Sequence, residues 1–185
     1  MDQARIGYLR ASQLVDRPPQ PTGRTGLVQR KNGIAAFIND VEKRVAKHLA
    51  EQRPPHDFIL EIGDAYAFIR LTDWRRPLQF LRQLAGEPPI RFGTTGFKRA
   101  LVDDQNPARH YTAFVFVGYW LPTPLALLVL WAWEVLGFFR YGGKWSEGDM
   151  RSGRIGIGHG RQVRRHGPTV LADLIRHDLD GRSKS

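Results

Sequence analysis

The chain of 185 residues contains no cysteine. This absence excludes disulfides, zinc-thiolate sites, iron-sulfur clusters and thiol catalysis. Any metal ion would have to be bound by histidine and carboxylate side chains, of which the chain has six and 18.

Acidic residues are scarce at both ends of the chain. Residues 1–33 carry six Lys and Arg against two acids, and residues 151–185 carry eight against three, so residues 34–150 contribute only +1 to the net charge of +10. This distribution predicts a nearly neutral body with cationic tails. The tails can contact anionic lipid or nucleic acid, although no specific nucleic-acid motif is present, or can simply keep the protein in solution.

Residues 1–24 also lack an apolar stretch long enough for a secretory signal peptide, and the acidic Asp2 replaces the usual positive start. We therefore expect a cytoplasmic or membrane-associated protein.

The remaining pattern predicts a mainly α-helical protein with a single helical domain, a central apolar helical hairpin and flexible basic tails. Residues 1–33 are rich in Pro, Gly and Arg and are predicted to be a flexible basic leader. The helical domain covers 34–160, and a basic C-terminal tail, 161–185, contains a short amphipathic helix at about 168–179.

Apolar residues at helical spacing predict the first helix of the domain. Its expected buried face consists of Ile34, Phe37, Ile38, Val41, Val45, His48 and Leu49. A second helix, capped by Asp57, buries Ile59, Ile62, Tyr66 and Ile69. A third runs from Thr72 or Asp73 to Gly86, and an irregular loop with turns at Gly93 and Gly96 follows.

Between His110 and Glu134 lies a long run without charge, YTAFVFVGYWLPTPLALLVLWAW. It is long enough for one transmembrane helix, which would separate the two residues by about 36 Å. Asn106 and Pro107 form a good helix start, however, and Pro122-Thr123-Pro124 favours two helices joined by a turn. In a buried hairpin His110 and Glu134 fall at one level, because they lie about 18 Å and 15 Å from the turn.

His110, Glu134 and Asp149 form the candidate catalytic site, with Arg109 or Arg151 as binding residues. Glu134 among apolar neighbours is expected to have a raised pKa, as a general acid needs, while His110 acts as the base and Asp149 orients or binds. The same side chains can instead hold a divalent metal, although no ligand motif predicts one. A third interpretation is structural, with Glu134 in a buried ion pair with Arg109 or Arg151.

Residues 145–161, WSEGDMRSGRIGIGHGR, concentrate glycine after Asp149. Gly153, Gly156, Gly158 and Gly160 let the backbone approach a ligand or a packed helix closely. The segment lacks a Walker lysine and the full dinucleotide fingerprint, so a nucleotide loop is not expected. His159 is predicted to be a loop histidine.

The order Asn106, Arg109, His110, then Glu134, then Asp149, Gly153 and Gly156 resembles a pattern in uncharacterised bacterial helical domains, some of them toxin-associated. The resemblance covers residues 103–160. It implies a bacterial source and a shared helical site. This chain has Trp133 where the pattern has a second histidine, and Ser152 and Gly153 where it has asparagines.

These patterns predict a hydrolase-like or toxin-like helical domain with a His/Glu/Asp site. The rival prediction is a non-catalytic membrane-associated or interaction protein, with an inserted hydrophobic hairpin and cationic tails.

Overall fold

A computed structural model describes residues 33–70, 88–103, 105–140 and 145–182 of the protein. These residues form six α-helices, and a single bridge between Phe97 and Asp180 is the only β-type pairing among them. The helices are α1 (Gly33–Ala50), α2 (Pro55–Ile62), α3 (Pro107–Trp120), α4 (Thr123–Arg140), α5 (Glu147–His166) and α6 (Leu171–Asp178). The predicted mainly α-helical class is confirmed.

Helix α1 packs its apolar face into the core as its spacing predicts. Six of the seven expected residues are buried, from Ile34 to His48, but Leu49 is 52% exposed and that prediction is wrong. The helix begins at Gly33, which has a left-handed φ of 46°. There the backbone N–H of Ile34 donates to the carbonyl of Thr95 at 2.9 Å, so the loop around Gly93 and Gly96 is fastened to the start of α1.

Helix α2 begins at Pro55, so Asp57 lies in its first turn and is not the predicted cap. A π-helical turn, Gly63–Ala67, extends it and ends at Phe68, which has a left-handed φ of 60°. All four predicted buried residues of this segment are buried. The predicted third helix, Thr72 to Gly86, lies outside the described residues.

Helix α3 is the central element of the fold. Pro107 is its first residue, as predicted, but the side chain of Asn106 makes no capping hydrogen bond to the first turn. Most of its length is buried, because α2 and its π-helical turn, α4 and α5 all pack around it.

Helix α5 packs most closely against α3, and its glycines make this approach possible. A Cβ at Gly156 would lie 2.6 Å from the carbonyl oxygen of Tyr111, and a Cβ at Gly160 would overlap the backbone of Val115 and Tyr119. The predicted close approach at Gly156 and Gly160 is therefore the packing of α5 against α3. His159 lies inside α5 and is buried, so its prediction as a loop histidine is wrong.

Helix α4 starts after the predicted break at Pro122, so residues 111–133 do not form one helix. Only a narrow line of it is buried, at Ala126, Leu130 and Glu134, which recur every fourth residue. The prediction that both arms of the hairpin are buried holds for α3 and is wrong for α4. No helix in the described part of the chain combines the length and apolarity needed to cross a bilayer.

The C-terminal segment belongs to the same core. Helix α5 runs to His166, so the predicted boundary at residue 160 falls within it. A 3₁₀ turn, Pro168–Val170, leads into α6, where the predicted short amphipathic helix is found. Leu171, Ile175 and Leu179 pack in the main hydrophobic core with α1, α2 and α3.

Candidate active site at the junction of α3, α4 and α5

The turn at Leu121–Pro122 brings His110 on α3 and Glu134 on α4 together. Nε2 of His110 lies 3.6 Å from Oε1 of Glu134, and their side chains are 8% and 7% exposed. A direct N–H···O hydrogen bond is normally shorter, at about 2.7 to 3.2 Å. The two groups therefore face each other at a separation that a small movement, a water or an ion can close.

Asp149 joins this pair from the first turn of α5. Its Oδ1 lies 3.9 Å from Nδ1 of His110, and its side chain is 21% exposed. Ser146 caps α5 by accepting a 3.0 Å hydrogen bond from the backbone N–H of Asp149, which fixes this turn. The three predicted catalytic residues, widely separated in sequence, thus come from three helices to one place.

Asp103 is a fourth group at the site, and sequence reasoning missed it. Its Oδ2 accepts a 2.8 Å hydrogen bond from Ser146 Oγ and a 2.5 Å hydrogen bond from the backbone N–H of Gly148. A carboxylate at a helix N-terminus is stabilised by the free N–H groups there. The signal in the sequence was an Asp before α3 and a Ser-Glu-Gly helix start, but nothing in their spacing shows that they meet.

Burial dominates the electrostatics of the two carboxyls nearest His110. Desolvation, with added repulsion from Asp149 and Asp103, raises the pKa of Glu134 from 4.5 to about 7. Burial also raises the pKa of Asp149, the hydrogen bond from Ser146 opposes this, and the charge of Asp103 adds to it. At neutral pH Glu134 can therefore carry a proton beside His110 and Asp149.

The two predicted binding arginines are placed differently. Arg151 points to the outer side of α5, where its guanidinium donates to Glu147 at 2.9 Å and both side chains are exposed. Arg109 is half-buried in the first turn of α3. Among the described residues the only ion-pair partner of Glu134 is His110, so the predicted buried pair between Glu134 and an arginine is not formed.

The donor set can also hold a metal ion. One nitrogen of His110 and one oxygen each of Glu134 and Asp149 lie within 4.8 Å of one another. One imidazole and two carboxylates suit a hard or borderline divalent cation such as Mg²⁺, Mn²⁺ or Zn²⁺. The sequence predicted these three residues as a candidate site without a metal-ligand motif, and the structure shows that their side chains lie close together.

A second buried hydrogen-bond chain lies on the other side of α3. Tyr111 Oη lies 2.7 Å from Nδ1 of His159, whose Nε2 lies 2.8 Å from Asp178. Because the carboxylate accepts from Nε2–H, Nδ1 is the acceptor for the tyrosine hydroxyl. Tyr111 is fully buried, so this chain ties α3, α5 and α6 together instead of facing a substrate.

The fold and the site thus define a helical domain with a partly buried cluster of one histidine and three carboxyls. Comparisons with protein-family models, with curated proteins and with solved structures found no match. Its chemistry has to be argued from its own residues.

Proposed function

We propose that the protein is a hydrolase-like domain, in which Glu134, His110 and Asp149 carry out proton transfer. The observation that carries the proposal is the meeting of His110 and Glu134 at 3.6 Å inside an apolar, acid-rich site. The structural pair of His159 and Asp178 is closed at 2.8 Å, whereas His110 faces two carboxyls across 3.6 and 3.9 Å. Groups held close together with raised pKa values are typical of acid–base sites.

Each side chain has a distinct part in this chemistry. Glu134, with a pKa of about 7, is protonated in about half of the molecules at pH 7 and can give that proton to a leaving group. His110 accepts a proton from the attacking water, and Asp149 faces the other ring nitrogen and can fix the orientation of the ring. Asp103 holds the first turn of α5 in place through Ser146 and Gly148, and so positions Asp149.

The proposal includes a toxin-like role, which rests on the resemblance of residues 103–160 to uncharacterised bacterial helical domains, some of them toxin-associated. In this version of the site His110 activates the water, whereas a divalent ion held by His110, Glu134 and Asp149 would activate it directly. Assays with and without divalent cations separate these two versions of the site.

The experiment is a panel of hydrolase substrates, namely carboxylic esters, phosphate mono- and diesters, peptides and RNA, assayed with the full chain. We expect Glu134→Gln to lower the rate on the accepted class by about 100-fold or more, the usual contribution of a general acid. Glu147→Gln is the matched control, because this carboxyl is in the same turn as Asp149 but is 75% exposed.

The result that contradicts the proposal is a folded Glu134→Gln protein with unchanged activity, or a parent chain that hydrolyses none of these classes. The same variant tests the rival function. A membrane-associated or interaction protein, which the exposed apolar residues of α4 favour, would keep its effect on cells when Glu134 becomes glutamine.

A further inference from the structure

Helix α4 exposes an unusual amount of apolar surface. Its exposed large side chains are Leu125, Leu128, Val129, Trp131, Trp133, Val135, Leu136, Phe138 and Phe139. A helix that is apolar on nearly all sides is normally enclosed by protein or lipid, and large exposed apolar patches mark interaction sites. In the described part of α4 the buried residues are Ala126, Leu130 and Glu134, and Leu127 packs partly buried against an apolar cluster that includes Phe114.

Helix α5 lies beside α4 and presents positive charge next to its apolar surface. After Asp149 it has no acidic residue up to its end at His166. Arg151, Arg154, Arg161 and Arg165 recur at helical spacing on one side, which we call the arginine face of α5. Within the described residues no carboxylate forms an ion pair with Arg154, Arg161 or Arg165, and Arg151 pairs only with Glu147.

The apolar and cationic surfaces meet in one open depression. It is lined by Trp131, Trp145, Glu147, Met150, Arg151 and Arg154. The rings of Trp131 and Trp145 are 5.4 Å apart there. Tryptophan next to arginine and an aliphatic surface is the combination that suits the headgroup region of a bilayer, where rings and guanidinium groups meet phosphate.

We propose that the exposed sides of α4 and the arginine face of α5 form one surface that docks on an anionic lipid membrane. Helix α4 meets the lipid side-on, because Ala126, Leu130 and Glu134 attach it to the protein over more than two turns. Its leucine, valine and phenylalanine side chains enter the acyl boundary, and the arginines bind lipid phosphates. Nucleic acid offers the same phosphates but no partner for this aliphatic surface, and a second copy of the chain would place like charges together.

The test is co-sedimentation of the full chain with vesicles of phosphatidylcholine alone and of phosphatidylcholine mixed with phosphatidylglycerol. We expect binding to the anionic vesicles, a blue shift of tryptophan emission, and weakening by salt. The Leu128→Gln, Leu136→Gln double variant should lose at least about tenfold in partition. Leu49→Gln is the matched control, since Leu49 is 52% exposed on α1, and it should bind like the parent.

A second pair of variants tests the charge. Arg154→Gln with Arg161→Gln should lower partition into anionic vesicles by about fivefold per arginine. Arg99→Gln, an exposed arginine outside α4 and α5, should have little effect. Glu134→Gln should bind vesicles like the parent, so failure of docking and failure of the proposed catalysis are distinguishable.

Three results would overturn the docking proposal. One is equal binding to neutral and anionic vesicles, or none to either. Another is a parent chain that self-associates without binding lipid, together with a leucine double variant that is monomeric. That result would make α4 an interface between copies of the chain. The last is binding to oligonucleotides in place of vesicles.

Discussion

At the scale of single residues, Glu134 is the side chain with the most unusual position. It is 7% exposed, its neighbours along α4 are tryptophan and valine, and the ionisable groups that reach it are His110 and two other carboxyls. A carboxyl in such surroundings stays protonated to a higher pH than in water. This one residue therefore links the packing of α4 to the chemistry proposed for the site.

The raised pKa of Glu134 predicts the direction in which pH changes stability. Because its pKa is about 7 in the folded protein and near 4.5 in the unfolded chain, the folded state binds the proton more tightly. Its contribution is therefore fully present below about pH 4.5 and is lost as pH rises through 7, with a magnitude on the order of 3 kcal/mol.

Urea titrations of the parent and of Glu134→Gln across this range measure the effect. Because Glu134→Gln cannot ionise at this position, its free energy of unfolding should fall much less between pH 4.5 and 7 than that of the parent. The free energy of unfolding of Glu147→Gln should fall as it does in the parent. Equal pH profiles for Glu134→Gln and the parent would show that this carboxyl is solvated.

At the scale of helices, α5 shows where sequence reasoning stops. Residues 147–166 contain five glycines, each of which costs a helix interior about 1 kcal/mol relative to alanine, so no helix was predicted there. The helix forms because three of these glycines, at 153, 156 and 160, let it approach α3 and α4 closely. Local propensity opposed the helix, and packing that only the folded chain provides outweighed it.

Two neighbouring glycines of α5 test this explanation directly. Gly160→Ala would place a methyl group against the backbone of Val115 and Tyr119, whereas nothing lies within 4 Å of a Cβ at Gly158. We expect Gly160→Ala to lower the free energy of unfolding by about 1 to 3 kcal/mol. Gly158→Ala should raise it by about 0.5 to 1 kcal/mol, since alanine is the better helix former.

Chemical denaturation of the two variants gives both values. Similar effects of the two substitutions would mean that close packing does not hold α5 against α3.

The helices with clear periodicity were predictable from sequence, and those governed by tertiary contacts were not. The buried face of α1 and the break at Pro122 follow from spacing and from proline chemistry. The exposed sides of α4 could not be foreseen, because an apolar sequence alone does not show which element covers it. Asp103 was missed for a related reason, because its role depends on contacts with Ser146 and Gly148, which lie 43 and 45 residues further along the chain.

At the scale of the whole molecule, two apolar clusters surround α3. The larger joins α1, α2, α3 and α6, and the smaller consists of Phe114, Ala126, Leu130, Met150 and Ile157 between α3, α4 and α5. The candidate site lies beside the smaller cluster, with His110 and Asp149 in the first turns of α3 and α5 and Glu134 in the second half of α4, and the proposed lipid-docking surface is on the outer side of α4. A reaction at the His110, Glu134 and Asp149 cluster would then take place close to the membrane.

The central claim is that the fold holds Glu134 protonated beside His110 near neutral pH. The most direct measurement is a ¹³C NMR titration of the Glu134 side-chain carboxyl in the full chain, assigned by its loss in Glu134→Gln. The account predicts a midpoint of about 7. A midpoint at or below the ordinary value of 4.5 would contradict it.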